Sequence, residues 1–154
     1  MDYVLGFCFS KEWGVLLIRK KRPQWMAGKL NGIGGKIEPG EIAIDAMRRE
    51  FREEACLDLD GWIQFCLIRA FEPNGDPYSI TCFYNLVDDS ILQKAESGTD
   101  EEVFIYSEID TTKRVHLGIM HNLPWLITMA REIAFGRAPN NRYILEDVAS
   151  AEGI

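Results

Sequence analysis

Apolar positions along the chain fall into runs, and each run is too short or too spaced for ambiguity about its element. Tyr3 to Phe9 and Gly14 to Lys20 are aliphatic and β-branched stretches separated by Ser10-Lys11-Glu12-Trp13, which predicts a β-hairpin. Residues 21–40 hold Pro23, Gly28, Gly32, Gly34, Gly35, Pro39 and Gly40, so a long loop follows, with a short extended piece near Leu30 to Ile33. Glu41 to Leu57 has no glycine or proline and is rich in Ala, Met, Arg and Glu, which predicts a helix. Trp62 to Phe71 and Tyr78 to Val87 predict two strands joined by the turn sequence Glu72-Pro73-Asn74-Gly75-Asp76-Pro77. A shorter strand is expected at Glu102 to Tyr106, after the polar stretch Ala95 to Asp100. Leu123, Leu126, Ile127, Ala130, Ile133 and Ala134 then recur at helical spacing, with Asn122 to cap, Pro124 in the first turn and Gly136 beyond the end. This order implies an α+β layered domain, a mixed sheet between helices, spanning 1–154, with 137–154 adding a short element or staying loose.

Composition narrows the functional classes. The 154 residues are 47% apolar and 27% charged, as in an ordinary globular domain. The formal charge of −7 argues against bulk binding to a nucleic-acid backbone or an anionic membrane. The start, Met1-Asp2-Tyr3 before a short apolar run, lacks the basic region of a signal peptide, and no eighteen apolar residues are consecutive. A soluble cytoplasmic protein is expected. Cys8, Cys56, Cys66 and Cys82 form no C-x-x-C pair, and three of them sit in strand-like runs, so neither a disulfide framework nor a zinc site is expected. His116 and His121 are five apart and do not share a helix face, so they read as surface or loop histidines.

The charge is unevenly placed. Between Val15 and Ile37 there is no acid, yet Arg19, Lys20, Lys21, Arg22, Lys29 and Lys36 fall there. Glu38, Glu41, Asp45, Glu50, Glu53 and Glu54 follow at once. On the expected helix Glu50, Glu53 and Glu54 stand at i, i+3 and i+4, one carboxylate face beside an apolar arc of Ile44, Phe51 and Ala55. Like charges at this spacing repel unless a cation intervenes. Magnesium, which takes oxygen ligands and bridges carboxylates to phosphate, would turn that cost into a binding face. The competing reading is a solvated acidic helix with Arg48, Arg49 and Arg52 interspersed.

Gly35, Glu41, Arg49-Glu50-Phe51, Glu53-Glu54 and Leu57 match G-x5-E-x7-R-E-U-x-E-E-x-G-U, and the chain thereby resembles the Nudix hydrolase superfamily. The one departure is Cys56 in place of the last glycine, a helix-end position where a Cβ in a left-handed conformation costs of order 1 kcal/mol. The resemblance implies the Nudix α/β/α sandwich and hydrolysis of a phosphoanhydride with Mg2+, Mn2+ being a substitute. It further implies that Glu50, Glu53 and Glu54 are metal ligands together with the Gly34 backbone carbonyl, and that Arg49 and Glu41 orient them. Family members take their general base from a box glutamate or a later loop, where Glu101 stands with Asp100 and Glu102 as rivals.

The run Leu30-Asn31-Gly32-Ile33-Gly34-Gly35-Lys36 resembles that of the MutT-like nucleoside triphosphate pyrophosphatases that remove oxidised purine nucleotides. By that resemblance Asn31 contacts a base and Lys20 lies near the substrate. Trp25 could stack on the base, and Lys36 belongs to the same basic stretch. The aspartate pair that reads the purine edge in the eukaryotic oxidised-purine enzymes has no counterpart in His116 to Asn122, where His116 or Asn122 would have to serve. Pro73 stands where ADP-ribose pyrophosphatases of the superfamily often carry proline. The expected substrate is a nucleoside triphosphate, with ADP-ribose or another nucleoside diphosphate derivative as one alternative and a non-catalytic nucleotide-binding module as another. A nucleotide partner, no nucleic-acid polymer, no membrane, and a monomer or homodimer complete the expectation.

Overall fold

The structure is a computed structural model and describes residues 1–12, 14–72, 74–107 and 123–146. Its elements are β1 (Asp2–Ser10), β2 (Val15–Arg19), a 3-10 turn at Gln24–Met26, β3 (Leu30–Asn31), α1 (Ala43–Ala55), β4 (Ile63–Phe71), β5 (Pro77–Val87), α2 (Asp89–Leu92), β6 (Glu102–Tyr106), α3 (Leu123–Ala134) and β7 (Tyr143–Glu146). The strands run β3-β2-β1-β5-β4-β7, with β6 also pairing β2. The sheet is mixed as expected: β1 lies parallel to β5 and β4 parallel to β7, while the other pairs are antiparallel.

Both faces of the central strands are covered, which is why β1 and β2 read as continuous apolar runs instead of alternating ones. Val4, Cys8, Leu16 and Ile18 pack against Ala46, Met47, Phe51 and Ala55 of α1. Phe51 meets Trp62 edge to face at 4.9 Å. Leu5, Phe7, Phe9, Val15 and Leu17 pack on the other face against Leu123, Leu126, Ile127, Ala130 and Ile133 of α3. Five of the six α3 residues picked by helical spacing are thus buried and the sixth, Ala134, is partly buried against the same core, while Asn122 lies outside the described residues.

Element ends differ from expectation in instructive ways. The helix expected from Glu41 begins at Ala43, because Glu41 turns its carboxylate back to the amide of Glu38 (3.0 Å) and Ile42 takes the capping position. At the other end Cys56 bears the left-handed conformation itself, at φ 57° and ψ 26°. Tyr143–Glu146 adds an edge strand to β4, the short element allowed for in that segment, and residues 147–154 lie outside the described residues. The hairpin after β1 closes through the Ser10 amide and the Gly14 carbonyl (2.8 Å). The loop around 33–37 follows β1: Gly6 donates to Ile33 O (2.7 Å), Val4 to Gly35 O (2.9 Å), and Ile37 to Asp2 O (2.9 Å). This pairing brings Gly34 and Gly35 beneath the carboxylates of α1.

Candidate active site

Gly34 and Gly35 are glycines because of what crowds them. A Cβ on Gly34 would run into the carbonyl of Val4, and one on Gly35 into the carboxylate of Glu50. The chain can therefore press between β1 and α1, and the Gly34 amide donates to Glu54 Oε2 at 3.2 Å. The Gly34 residue expected at a metal is thus beside the carboxylates.

Arg49 organises the exposed side of the helix. Its guanidinium forks onto Glu41, Nε to Oε1 at 2.9 Å and Nη2 to Oε2 at 3.0 Å. Nη1 reaches Glu50 Oε1 at 2.8 Å and Glu53 Oε2 at 3.4 Å, and Nη2 also donates to the Lys36 carbonyl at 2.9 Å. A planar cation with five donors can satisfy this set; a lysine could not. The hydrogen bond from Arg49 holds the Glu41 carboxyl below its ordinary pKa, and the same partners raise the guanidinium.

The three glutamates of the motif do not share one environment. Glu53 points to solvent, its side chain 55% exposed. Glu50 is half-buried, and burial pushes its pKa up against the pull of Arg49. Glu54 is buried, and desolvation pushes it up to about 7 despite Lys20 and the Gly34 amide. Among the described residues no three carboxylate, thiol or imidazole groups already converge as a metal cage. Arg49 bridges Glu50 and Glu53, while Lys20 ties Glu54 to Glu101.

Lys20 leaves the end of β2 and lies between two acids, 2.6 Å from Glu101 Oε2 and 3.7 Å from Glu54 Oε1. Glu101 is 6% exposed. Its other oxygen, Oε1, accepts from the backbone amides of Lys21 (2.6 Å) and Arg22 (3.3 Å). Burial opposes its ionisation, but the Lys20 ammonium and these amides outweigh burial and lower its pKa. Its rivals Asp100 and Glu102 are both exposed, Asp100 pairing with Arg22 at 2.6 Å.

Lys36 contributes its carbonyl to Arg49 while its side chain is exposed. Asn31, in β3, uses Oδ1 to accept the Gly32 amide at 3.0 Å. Trp25, in the 3-10 turn, is 62% exposed with the Lys29 ammonium 5.8 Å from its ring centre. A cavity of about 230 Å³ lies beside Lys20, lined also by Arg19, Lys21, Ala27, Gly28 and Glu102. Pro73, His116 and the rest of His116 to Asn122 lie outside the described residues; the Glu72 amide bonds to Asp76 O at 2.8 Å, and Gly75 stands at φ 89°.

Sequence reasoning missed how the loop before β6 is seated. The amides of Glu96 and Gly98 cap the carbonyls of Ala55 and Glu54 at the end of α1, each at 3.0 Å. A Cβ on Gly98 would strike the Glu53 carbonyl. The only cue was a glycine in a polar stretch, which by itself says turn and not contact.

The sequence of residues 2–117 matches the NUDIX domain family model. An oxidized purine nucleoside triphosphate hydrolase of Danio rerio is 45% identical over 47 residues, which is 30% of this chain and 30% of that protein's length. Among solved structures, the NUDIX domain of Shewanella oneidensis NrtR complexed with ADP ribose superposes with a TM-score of 0.70 at 17% identity, covering 86% of this chain and 87% of that one. The MutT protein of Methanosarcina mazei Go1 superposes at 0.62 with 18% identity, covering 90% and 96%. These likenesses agree with the sheet packed between α1 and α3, and the family match spans three quarters of the sequence. The chain therefore belongs to the NUDIX domain family.

Proposed function

We propose that this chain is a magnesium-dependent hydrolase of nucleoside triphosphates, purine deoxynucleotides among them, releasing nucleoside monophosphate and pyrophosphate. The observation that carries the reading is the seating of Lys20 between Glu54 and Glu101, which joins a basic segment to the carboxylates of α1. A polyphosphate bridged to that helix by a cation would lie against this lysine. The partial likeness to the Danio rerio oxidized purine nucleoside triphosphate hydrolase supports the same substrate class.

The residues present suit a hard divalent cation. Glu50, Glu53 and Glu54 offer oxygen donors, and Glu54 is a buried carboxylate whose ionisation the protein alone does not fully compensate. Glu50, Glu53, Glu54 and the Gly34 carbonyl would hold Mg2+ or Mn2+. When bound, the cation neutralises phosphate charge and acidifies an attacking water. Arg49 keeps Glu50 and Glu53 aligned and takes its own orientation from Glu41. Glu53, exposed and held by one long bond to Arg49, would offer a carboxylate oxygen to the attacking water's proton. Lys20 binds the phosphate chain, and the base extends toward Asn31 and Trp25.

The test is a panel of ordinary and oxidised deoxynucleoside triphosphates, ADP-ribose and dinucleoside polyphosphates, with magnesium and with products resolved by anion exchange. Monophosphate plus pyrophosphate formed faster from triphosphates than ADP-ribose is cleaved is the expected outcome. Ribose 5-phosphate and AMP as dominant products would shift the assignment to an ADP-ribose pyrophosphatase. No cleavage of any member with either metal would make the chain a binding module. Orthophosphate in place of pyrophosphate would keep the metal chemistry and change the bond that breaks.

A further inference from the structure

Glu101 occupies the loop from which a general base could come, yet its surroundings describe a different task. Both carboxylate oxygens are engaged. Oε2 holds the Lys20 ammonium at 2.6 Å, and Oε1 accepts the Lys21 and Arg22 amides at 2.6 and 3.3 Å. The side chain is almost fully buried. A base must present a lone pair to water or to the substrate's proton, at hydrogen-bond distance. Here three of the roughly four lone-pair sites are taken by donors of the protein itself, and the side chain is buried.

The loop that carries Glu101 is anchored at several points. Glu96 and Gly98 bond to the last turn of α1, the Ser97 hydroxyl accepts the Val103 amide at 2.9 Å, and the Thr99 hydroxyl accepts the Glu101 amide at 3.2 Å. Glu101 is therefore a fixed acceptor, set by the helix that bears the metal-binding carboxylates. Through it the position of α1 is passed to Lys20, Lys21 and Arg22.

We propose that Glu101 is a positioning residue: a buried carboxylate tie that fixes Lys20 and the Lys21–Arg22 backbone against α1, so that the basic segment meets the polyphosphate. The proposal rests on the triphosphatase reading given above. It separates Glu101 from the proton transfer and makes it a determinant of nucleotide affinity.

Steady-state kinetics on the full chain decide between the two roles. Glu101→Gln keeps an acceptor for the two amides but sets an N–H group against the Lys20 ammonium; Glu101→Ala removes the tie altogether. For a tie, KM for a deoxynucleoside triphosphate rises by about five- to tenfold in Glu101→Gln and further in Glu101→Ala, while kcat falls by no more than a few-fold. Lys20→Met raises KM comparably, and the double variant Lys20→Met/Glu101→Gln is scarcely worse than the poorer single one, because both remove one linkage. A kcat lower by about 100-fold or more in both Glu101 variants, with KM unchanged, is the signature of a general base and overturns the proposal. Additive Lys20 and Glu101 effects overturn it too. Amide hydrogen exchange reads the tie without turnover: Lys21 and Arg22 are protected in the parent chain and lose protection in Glu101→Ala. If the parent chain hydrolyses no triphosphate, the triphosphatase reading fails, and unprotected Lys21 and Arg22 amides in that chain would refute the tie separately.

Discussion

At the scale of single residues, Cys56 shows how the same backbone can be kept with the less favourable side chain. The helix ends in a left-handed residue because the chain must turn sharply away from α1, and the Cys56 amide still closes the last turn on Arg52 O at 3.1 Å. A Cβ in that conformation costs roughly 1 kcal/mol, which glycine avoids. Cys56→Gly is expected to raise stability by up to about 1 kcal/mol in urea denaturation, the gain being offset in part by the greater freedom of glycine in the unfolded chain. Turnover is expected within threefold of the parent, since the thiol lies outside the Arg49 and Lys20 contacts. A folded Cys56→Gly variant with turnover lowered tenfold would show that the thiol itself takes part. The spacing of the motif located Cys56 and the strain; its exposure and its closeness to Gly98 came from the fold.

At the scale of elements, α1 is positioned by contacts with two loops, one sharing its motif through Gly35 and one with no sequence pattern in common with it. One brings Gly34 and Gly35 under Glu54 and Glu50; the other caps the helix end through Glu96 and Gly98. Gly98→Ala tests the second. The added methyl must displace the loop from the Glu53 carbonyl, so both caps weaken and Glu101 moves with them. A loss of about 1–3 kcal/mol in stability is expected from such overpacking, and the surviving folded protein should show a raised KM for nucleotide. Parent-like melting and KM together would mean that the loop is not seated as described. The helix itself was legible, because propensity and the absence of Gly and Pro act locally. Its first residue was not, because Glu41 found partners in Arg49 and Glu38 that only the folded chain supplies.

For the whole molecule, the central question is how charge is balanced across the site. Seen as a stripe, Glu50, Glu53 and Glu54 repel one another; in the fold Arg49 and Lys20 divide them, and Glu54 is buried with too little compensation. A divalent cation that binds only the folded chain should therefore stabilise it, by about 2.7 kcal/mol at a concentration 100 times its Kd. Thermal melts of the parent chain should shift upward with magnesium and return when it is chelated, with turnover lost on chelation. Glu53→Gln and Glu54→Gln should shrink that shift and lower turnover by at least about 100-fold while remaining folded. Variants that keep the shift and the rate would remove these glutamates from the metal site. The sequence by itself determined the order of the principal strands and helices, though not α2 or β7, and the identity of the charged groups, because apolar periodicity and the motif's spacing are properties of the chain alone. Tertiary structure decided which acid each base holds. Lys20 and Glu101 are 81 residues apart, and no local rule pairs them. The pairing exists because β6 lies antiparallel to β2, Arg19 opposite Glu102, so that Lys20, which follows Arg19, meets Glu101, which precedes Glu102.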